Sequence, residues 1–335
     1  MEGIISRKRT CGVQTKPRME IHMKLLEVME PILASEIKTG DEWIHQIKWD
    51  GIRGISYIED GSLQIYTKSG RERTSFYPEI QIAPKLLNGH QAVLDGELVV
   101  FNTENRPSFH LIMNRERLRN LSNLPVYQQK YPVCYILFDL LFLNGTDLRS
   151  RPLEERQDLL RAKVSSSSDI AVADDFTDGS ALFKLMKEKN YEGIVSKRKN
   201  SRYQAGKKHN DWFKTKISKK ILAIVGGLSW KEQFPNSLLL GIFQGDQYLY
   251  IGNASLGLSQ KDFQLFKAYA SDYTQKSSPF DNLKKMKDTT WLKPDLTCWV
   301  SFLEWTDSRS LRHPKILGFS KDPASEAQGK ETIME

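Results

Sequence analysis

The run from Gln46 to Arg53, Gln-Ile-Lys-Trp-Asp-Gly-Ile-Arg, constrains the fold more than any other stretch of the chain. Ile44, Gln46 and Lys48 alternate onto one face of a strand, and Asp50-Gly51 then breaks it with a strong turn signal. A lysine placed where a strand enters a turn is held by the sheet while its amine faces a cleft. Asp50 and Arg53 add an anion and a second cation within a few residues. A surface hairpin with a solvated lysine reads from the same hexapeptide, and the remainder of the chain separates the two.

The 335 residues suit two domains and can bury ample core. Residues 1–25 form a basic arm with no clear period, and Lys24 to Met29 reads as a short helix ending before Pro31. Strands are expected over Trp43–Lys48, Gly54–Ile58 and Leu63–Lys68, with a hairpin at Asp60-Gly61. Tyr77–Leu87 reads as one helix. Ala92–Phe101 reads as a buried strand interrupted at Asp95-Gly96-Glu97, whose two carboxylates are costly to bury without cations or donors. Phe109, Leu111 and Met113 pin a short helix. Val133–Phe142, the most apolar strand, carries Asp139 in its middle. Helices follow over Leu148–Val164 and Ser180–Lys189. The strand Gly193–Lys197 is entered through Glu192, and strand parity puts Trp212, Lys214 and Lys216 on one face. Ile217–Lys220 reads as a hinge. Beyond it the pattern turns to short strands (Ile221–Leu228, Leu238–Phe243, Tyr248–Ile251, Cys298–Trp305) around one helix, Ser259–Ala270, as in a small Greek-key barrel. A β-sandwich remains the alternative at this level. The polar tail 323–335 is expected to be disordered.

Composition narrows the function classes. No apolar run approaches a membrane span, and the start lacks a secretory apolar core. Three scattered cysteines, Cys11, Cys134 and Cys298, have no metal-ligand spacing. A formal net charge of +8 favours polyanionic partners, with binding that weakens as salt rises.

Taken in order, these stretches resemble the motifs of the covalent nucleotidyltransferases, the superfamily of DNA ligases, RNA ligases and messenger-RNA capping enzymes. Lys48 to Arg53 resembles the first motif, whose lysine amine attacks a nucleotide α-phosphate. Thr67-Lys68-Ser69-Gly70 resembles the second, with Lys68 at its usual arginine. Asp95-Gly96-Glu97 resembles the third, and Phe138-Asp139 the aromatic position that stacks on a purine. Glu192 to Lys197 resembles the fourth, and Trp212 to Lys216 the fifth. The closest likeness is to ATP-dependent DNA ligases of the bacterial end-joining type, over about residues 29–320. Gly226-Gly227, Leu238 to Gly241, Glu304-Trp305-Thr306, Leu311 to Pro314 and Gly318-Phe319 support that branch.

The resemblance implies an α+β fold. A nucleotidyltransferase domain of ATP-grasp-like antiparallel sheets with helices (26–217) would precede a C-terminal OB-fold β-barrel (218–322). It implies Lys48 as the nucleophile, with Gln46, Ile47, Arg53, Lys68, Glu97, Phe138, Lys214 and Lys216 around ATP. Gln46 would meet the exocyclic amine of adenine, Phe138 would stack on the ring, and Arg53 and Lys68 would contact ribose or a DNA 5′-phosphate. Glu97 and Glu192 offer hard oxygen ligands for Mg²⁺ or Mn²⁺. Arg312 and Lys321 would touch pyrophosphate or DNA. A free lysine titrates near 10.4, and neighbouring cations, here Lys214, Lys216 and the metal, favour the neutral nucleophile. The implied partners are nicked double-stranded DNA and a DNA end-binding protein, with no membrane. The chain would act as a monomer in the bacterial cytoplasm, in DNA repair and recombination.

Two departures stand out. The family usually has glutamate where this chain has Gln46; the amide oxygen can still accept from adenine. The barrel usually ends in arginine, any residue, aspartate and lysine, where this chain has Ser320, Lys321, Asp322 and Pro323. Two rivals follow: a nick- or end-binding protein weak in self-adenylylation, and an ATP-dependent RNA ligase or capping guanylyltransferase.

Overall fold

The computed structural model describes residues 26–232, 234–255, 259, 261, 271–306 and 308–334. The basic arm and nearly all of the Ser259–Ala270 helix lie outside the described residues. The first part of the chain contains strands β1 (Glu30–Leu33), β2 (Trp43–Ile47), β3 (Ile52–Glu59), β4 (Ser62–Thr67), β5 (Gln91–Val100), β6 (Val133–Leu143), β7 (Thr146–Asp147), β8 (Ile170–Val172), β9 (Gly193–Arg198) and β10 (Lys208–Lys216). Its helices are α1 (Ala83–Leu86), α2 (Phe109–Glu116), α3 (Leu124–Lys130), α4 (Leu153–Lys163) and α5 (Gly179–Glu188).

Two sheets result. One runs β1-β10-β9-β2, antiparallel except for the β1–β10 pair; the other runs β4-β3-β5-β6-β7, with β8 parallel to β6. Strand alternation decides what each face does. On β5, Leu94, Leu98 and Val100 enter the core with Ile112 of α2 and Leu160 of α4, whereas Asp95 and Glu97 point the other way. α5 lays Leu182 and Met186 on Ile194 of β9.

The second part is a barrel-like sheet: β11 (Lys219–Lys231), β12 (Phe234–Gln244), β13 (Gln247–Ala254), β14 (Thr274–Gln275), β15 (Thr289–Leu292), β16 (Thr297–Phe302), β17 (Lys315–Ser320) and β18 (Glu331–Ile333). The long β11 pairs with β12, β15, β16 and β18, so one strand organises the unit. Its core collects Ile221, Ala223, Val225, Leu228, Leu240 and Val300. The antiparallel sheets with few helices are an α+β architecture.

Four expectations fail, each for a physical reason. Residues 26–29 are not helical: the Met29 backbone N–H donates to Tyr203 and its carbonyl accepts from Arg53, which fixes the chain in an extended path. Tyr77–Leu87 splits into a 3₁₀ turn (Pro78–Ile82) and the short α1, because Pro78 and Pro84 remove two backbone donors. β5 runs uninterrupted through Asp95-Gly96-Glu97, since Arg53 supplies the charge Asp95 needs. The tail is ordered: Ala327 is fully buried, and Glu331–Ile333 forms β18 against Lys219–Ile221 of β11. Its short apolar content gave no periodic signal, and the strand forms because β11 offers a free edge. The helix α3 was likewise not anticipated.

Candidate active site

Lys48 is held by its neighbours in space. β2 lies antiparallel to β9, and the Lys48 backbone N–H donates to Gly193 O at 3.0 Å just beyond their last pair, Ile47 and Ile194. The first and fourth motifs thus meet through the backbone. Gly51 lets the following turn press on β5, where a Cβ would come within 2.3 Å of Leu98 O. Gly193 has φ +140°, and a Cβ there would meet Thr215 O at 2.1 Å. The Lys48 amine contacts Glu192 Oε2, while Lys216 Nζ lies 2.7 Å from Oε1 of the same carboxylate. Burial pushes the Glu192 carboxyl up, and the two lysines more than reverse this, leaving it below its ordinary value.

Between the two sheets lies a cavity of about 260 Å³ with Lys48 in its wall. Gln46, Ile47, Arg53, Lys68, Glu97, Phe138 and Lys214 line it as well. Of the residues anticipated around the nucleotide, only Lys216 is set back, reaching the site through Glu192. Glu192 itself borders a second cleft of about 160 Å³ where the two parts of the chain meet.

Several side chains have partners that the sequence did not announce. Arg53 grips Asp95 with Nε–Oδ1 at 2.8 Å and Nη2–Oδ2 at 2.5 Å, and its guanidinium lies 5.1 Å from the Phe138 ring centre. It is a fixed wall with most donors committed. Lys68 pairs with Glu30 at 2.7 Å; that hydrogen bond holds the Glu30 carboxyl below its ordinary range. Among the described residues Glu97 has no such partner. Burial raises its carboxyl to about 8, against the pull of Lys48 and Arg53.

Glu30, Trp49, Lys197 and Trp212 also line the cavity and were not anticipated as nucleotide contacts. Lys197 ends the fourth motif, and strand parity alone could have put it on the Val195 face. Its ammonium sits 4.3 Å from the ring centres of both Phe138 and Trp212, is buried, and has no hydrogen-bond acceptor. Desolvation lowers its pKa to about 8. Arg312 and Lys321 are not brought to this cavity. Arg312 contacts Glu304, lies 3.5 Å from Asp50, and stacks 4.4 Å from the Phe109 ring centre. Lys321 is exposed just beyond β17.

The donor set fits a nucleotide. Lys197 Nζ and Trp212 Nε1 are buried donors lacking acceptors, beside an aromatic face and a group of lysines. The carboxylates also fit a hard cation. Glu97 is a desolvated acid that a cation would ionise. That suits Mg²⁺, which shares its shell with water and substrate phosphates.

Residues 24–216 match the ATP dependent DNA ligase domain, and residues 231–323 match the ATP dependent DNA ligase C terminal region. The chain belongs to the ATP-dependent DNA ligase family. The multifunctional non-homologous end joining protein LigD of Mycobacterium bovis is 29% identical to this ligase over 291 residues, 84% of this chain and 36% of that protein. LigD of Pseudomonas aeruginosa is 29% identical over 319 residues, 91% of this chain and 37% of its own length. This ligase therefore spans little more than a third of those relatives. The solved mycobacterial DNA ligase D complexed with ATP and MES superimposes with a TM-score of 0.51 at 29% identity, covering 89% of this chain and 97% of that one. The second part of the chain corresponds to the OB-fold domain of these ligases. Among the described residues no helix is long and apolar enough to cross a membrane.

Proposed function

We propose that this ligase seals nicks in duplex DNA during end-joining repair in the bacterial cytoplasm, through AMP carried on Lys48. The observation that carries the reading is the Lys48 amine in the cavity wall, joined through Glu192 to Lys216 and set among Lys214, Glu97 and Phe138. Lys48 Nζ would attack the α-phosphorus of ATP as the bond to pyrophosphate breaks. The AMP would then pass to a DNA 5′-phosphate, and a 3′-hydroxyl would displace it. Phe138 would stack on adenine, with Gln46 at its edge and Lys68 near ribose or phosphate. A Mg²⁺ held by Glu97 and Glu192 would supply charge neutralisation at the phosphates.

The protein prepares the nucleophile. Lys216 on Oε1 and the Lys48 amine on Oε2 hold Glu192 between them, and Lys214 lines the same cavity as Lys48. Desolvation and the two neighbouring lysines already hold Lys214 below its ordinary value. We also propose that residues 218–322 move as a barrel about Ile217-Ser218, the link between β10 and β11, and that the chain acts as a monomer, with a DNA end-binding protein as partner.

The test is incubation with α-labelled ATP and Mg²⁺, followed by nicked duplex. Wild-type protein should carry a covalent label that chases into sealed DNA, and Lys48→Ala should carry none. A label that survives in Lys48→Ala means another nucleophile. One observation favours slow self-adenylylation: Ser320 and Pro323 stand where the family has its two cations, and the exposed Lys321 lies between them. In that case label appears only at long times, yet pre-adenylylated nicks are sealed promptly.

A further inference from the structure

Gln46 occupies the position where the family uses glutamate, and a lone amide there poses a chemical problem. Glutamate can only accept, so it selects the 6-amino group of adenine. An amide can present either its oxygen or its NH₂, and turned over it would equally suit the 6-oxo group of guanine. Nothing in the first five motifs removes that ambiguity.

The fold does. Gln46 is buried in the cavity wall, and its Nε2 donates to Asp175 Oδ1 at 2.7 Å. Asp175 lies in the loop between β8 and α5, far from every motif in sequence. Its other oxygen, Oδ2, is engaged by Arg161 of α4, and this ion pair fixes the carboxylate in place. An ion-paired carboxylate accepts and does not donate, so the Gln46 NH₂ must face it. The Gln46 Oε1 then takes no hydrogen bond from the described protein and is left for the cavity.

We infer that Asp175 is a positioning residue for nucleotide choice: by holding the Gln46 amide in one orientation it makes a glutamine behave as the acceptor-only glutamate it replaces. The inference rests on the proposal that Gln46 meets the base. It also predicts a forbidden combination. Restoring the family glutamate by Gln46→Glu would set two carboxylates against each other, so the reversion should be harmful in this chain.

The experiment measures Lys48-AMP and Lys48-GMP formation, as kcat and KM, for the full chain and four variants, with thermal melts as a fold control. Asp175→Asn lets the two amides turn over together. The ATP-over-GTP ratio of kcat/KM should fall about tenfold or more, mainly through KM, roughly what one misplaced hydrogen bond is worth in a site built to make it. Gln46→Glu should raise the KM for ATP by about tenfold. Adding Asp175→Asn to it should restore ATP use, because the introduced asparagine amide can donate to the new carboxylate. A purely structural Asp175 would lower ATP and GTP use in parallel, and the double variant would be no better than either single one; either result overturns the inference. Absence of any adduct in the wild type, or indifference of both nucleotides to Gln46→Ala, instead overturns the proposed placement of the base.

Discussion

At the scale of single residues, the site is a set of charges placed at a cost. Lys197 is the plainest case, an ammonium enclosed by two aromatic rings with no acceptor. Its folded value of about 8 lies below the ordinary 10.5, so between these limits the unfolded chain binds the proton more tightly. The penalty is therefore full below about pH 8 and fades as pH rises towards 10.5. Lys197→Met should stabilise the protein at pH 7 by on the order of 2 kcal/mol, and the gain should shrink by pH 10. Urea titrations at the two pH values check this; a gain that does not change with pH would mean that the charge is not what costs stability. The same variant should weaken nucleotide binding.

At the scale of elements, buried ion pairs join strands to helices. Asp139, in the middle of β6, is fully buried and gripped by Arg156 of α4 through two contacts of 2.8 Å. Arg156 also donates to the carbonyls of Arg151 and Ser201, which ties the α4 start and the loop after β9 to one point. Arg156→Leu leaves a buried carboxylate without its partner and should cost about 3–5 kcal/mol. Asp139→Leu added to it should recover most of that. The measurement is chemical denaturation of both variants; equal losses would show that the carbonyl contacts, rather than the charge, are what α4 depends on. Asp139 sits beside the motif residue Phe138, which lines the cavity.

At the scale of the whole molecule, the two parts meet through few contacts. Arg312 reaches Asp50, in the turn after Lys48, from the barrel side. Burial and the nearby Glu192 and Glu304 raise the Asp50 carboxyl to about 6 despite Arg312 and Lys48. The tail makes a second connection. Glu331 pairs with Lys219 at 2.8 Å, Met334 N–H donates to Ser218 O, and Ile333 packs on the cluster of Leu182, Met186 and Ile217. β18 therefore straps the barrel to the first part across the link. Truncation after Gly329 should speed tryptic cleavage at Lys219 and Lys220 by on the order of tenfold, since the lost contacts are worth about 1–2 kcal/mol locally. An unchanged cleavage rate would show that the link is closed without the strap.

The sequence alone determined which residue types line the cavity and their order along the chain. Lys48, Glu97, Phe138, Glu192 and Lys214 were legible as candidates because the proposed chemistry calls for a nucleophile, hard ligands and cations of those residue types, and because strand parity fixes which of them share a face. Strand identities in the first part were legible for the same reason. The tertiary structure decided everything that depends on a partner from elsewhere: that Asp95 belongs to Arg53, that Lys216 acts through Glu192, that Arg312 reaches Asp50, and that the polar tail becomes a strand. Most of all it decided the direction of the Gln46 amide. A side chain's identity states what it can donate or accept, whereas a choice between the two is made by whichever group the fold sets at 2.7 Å.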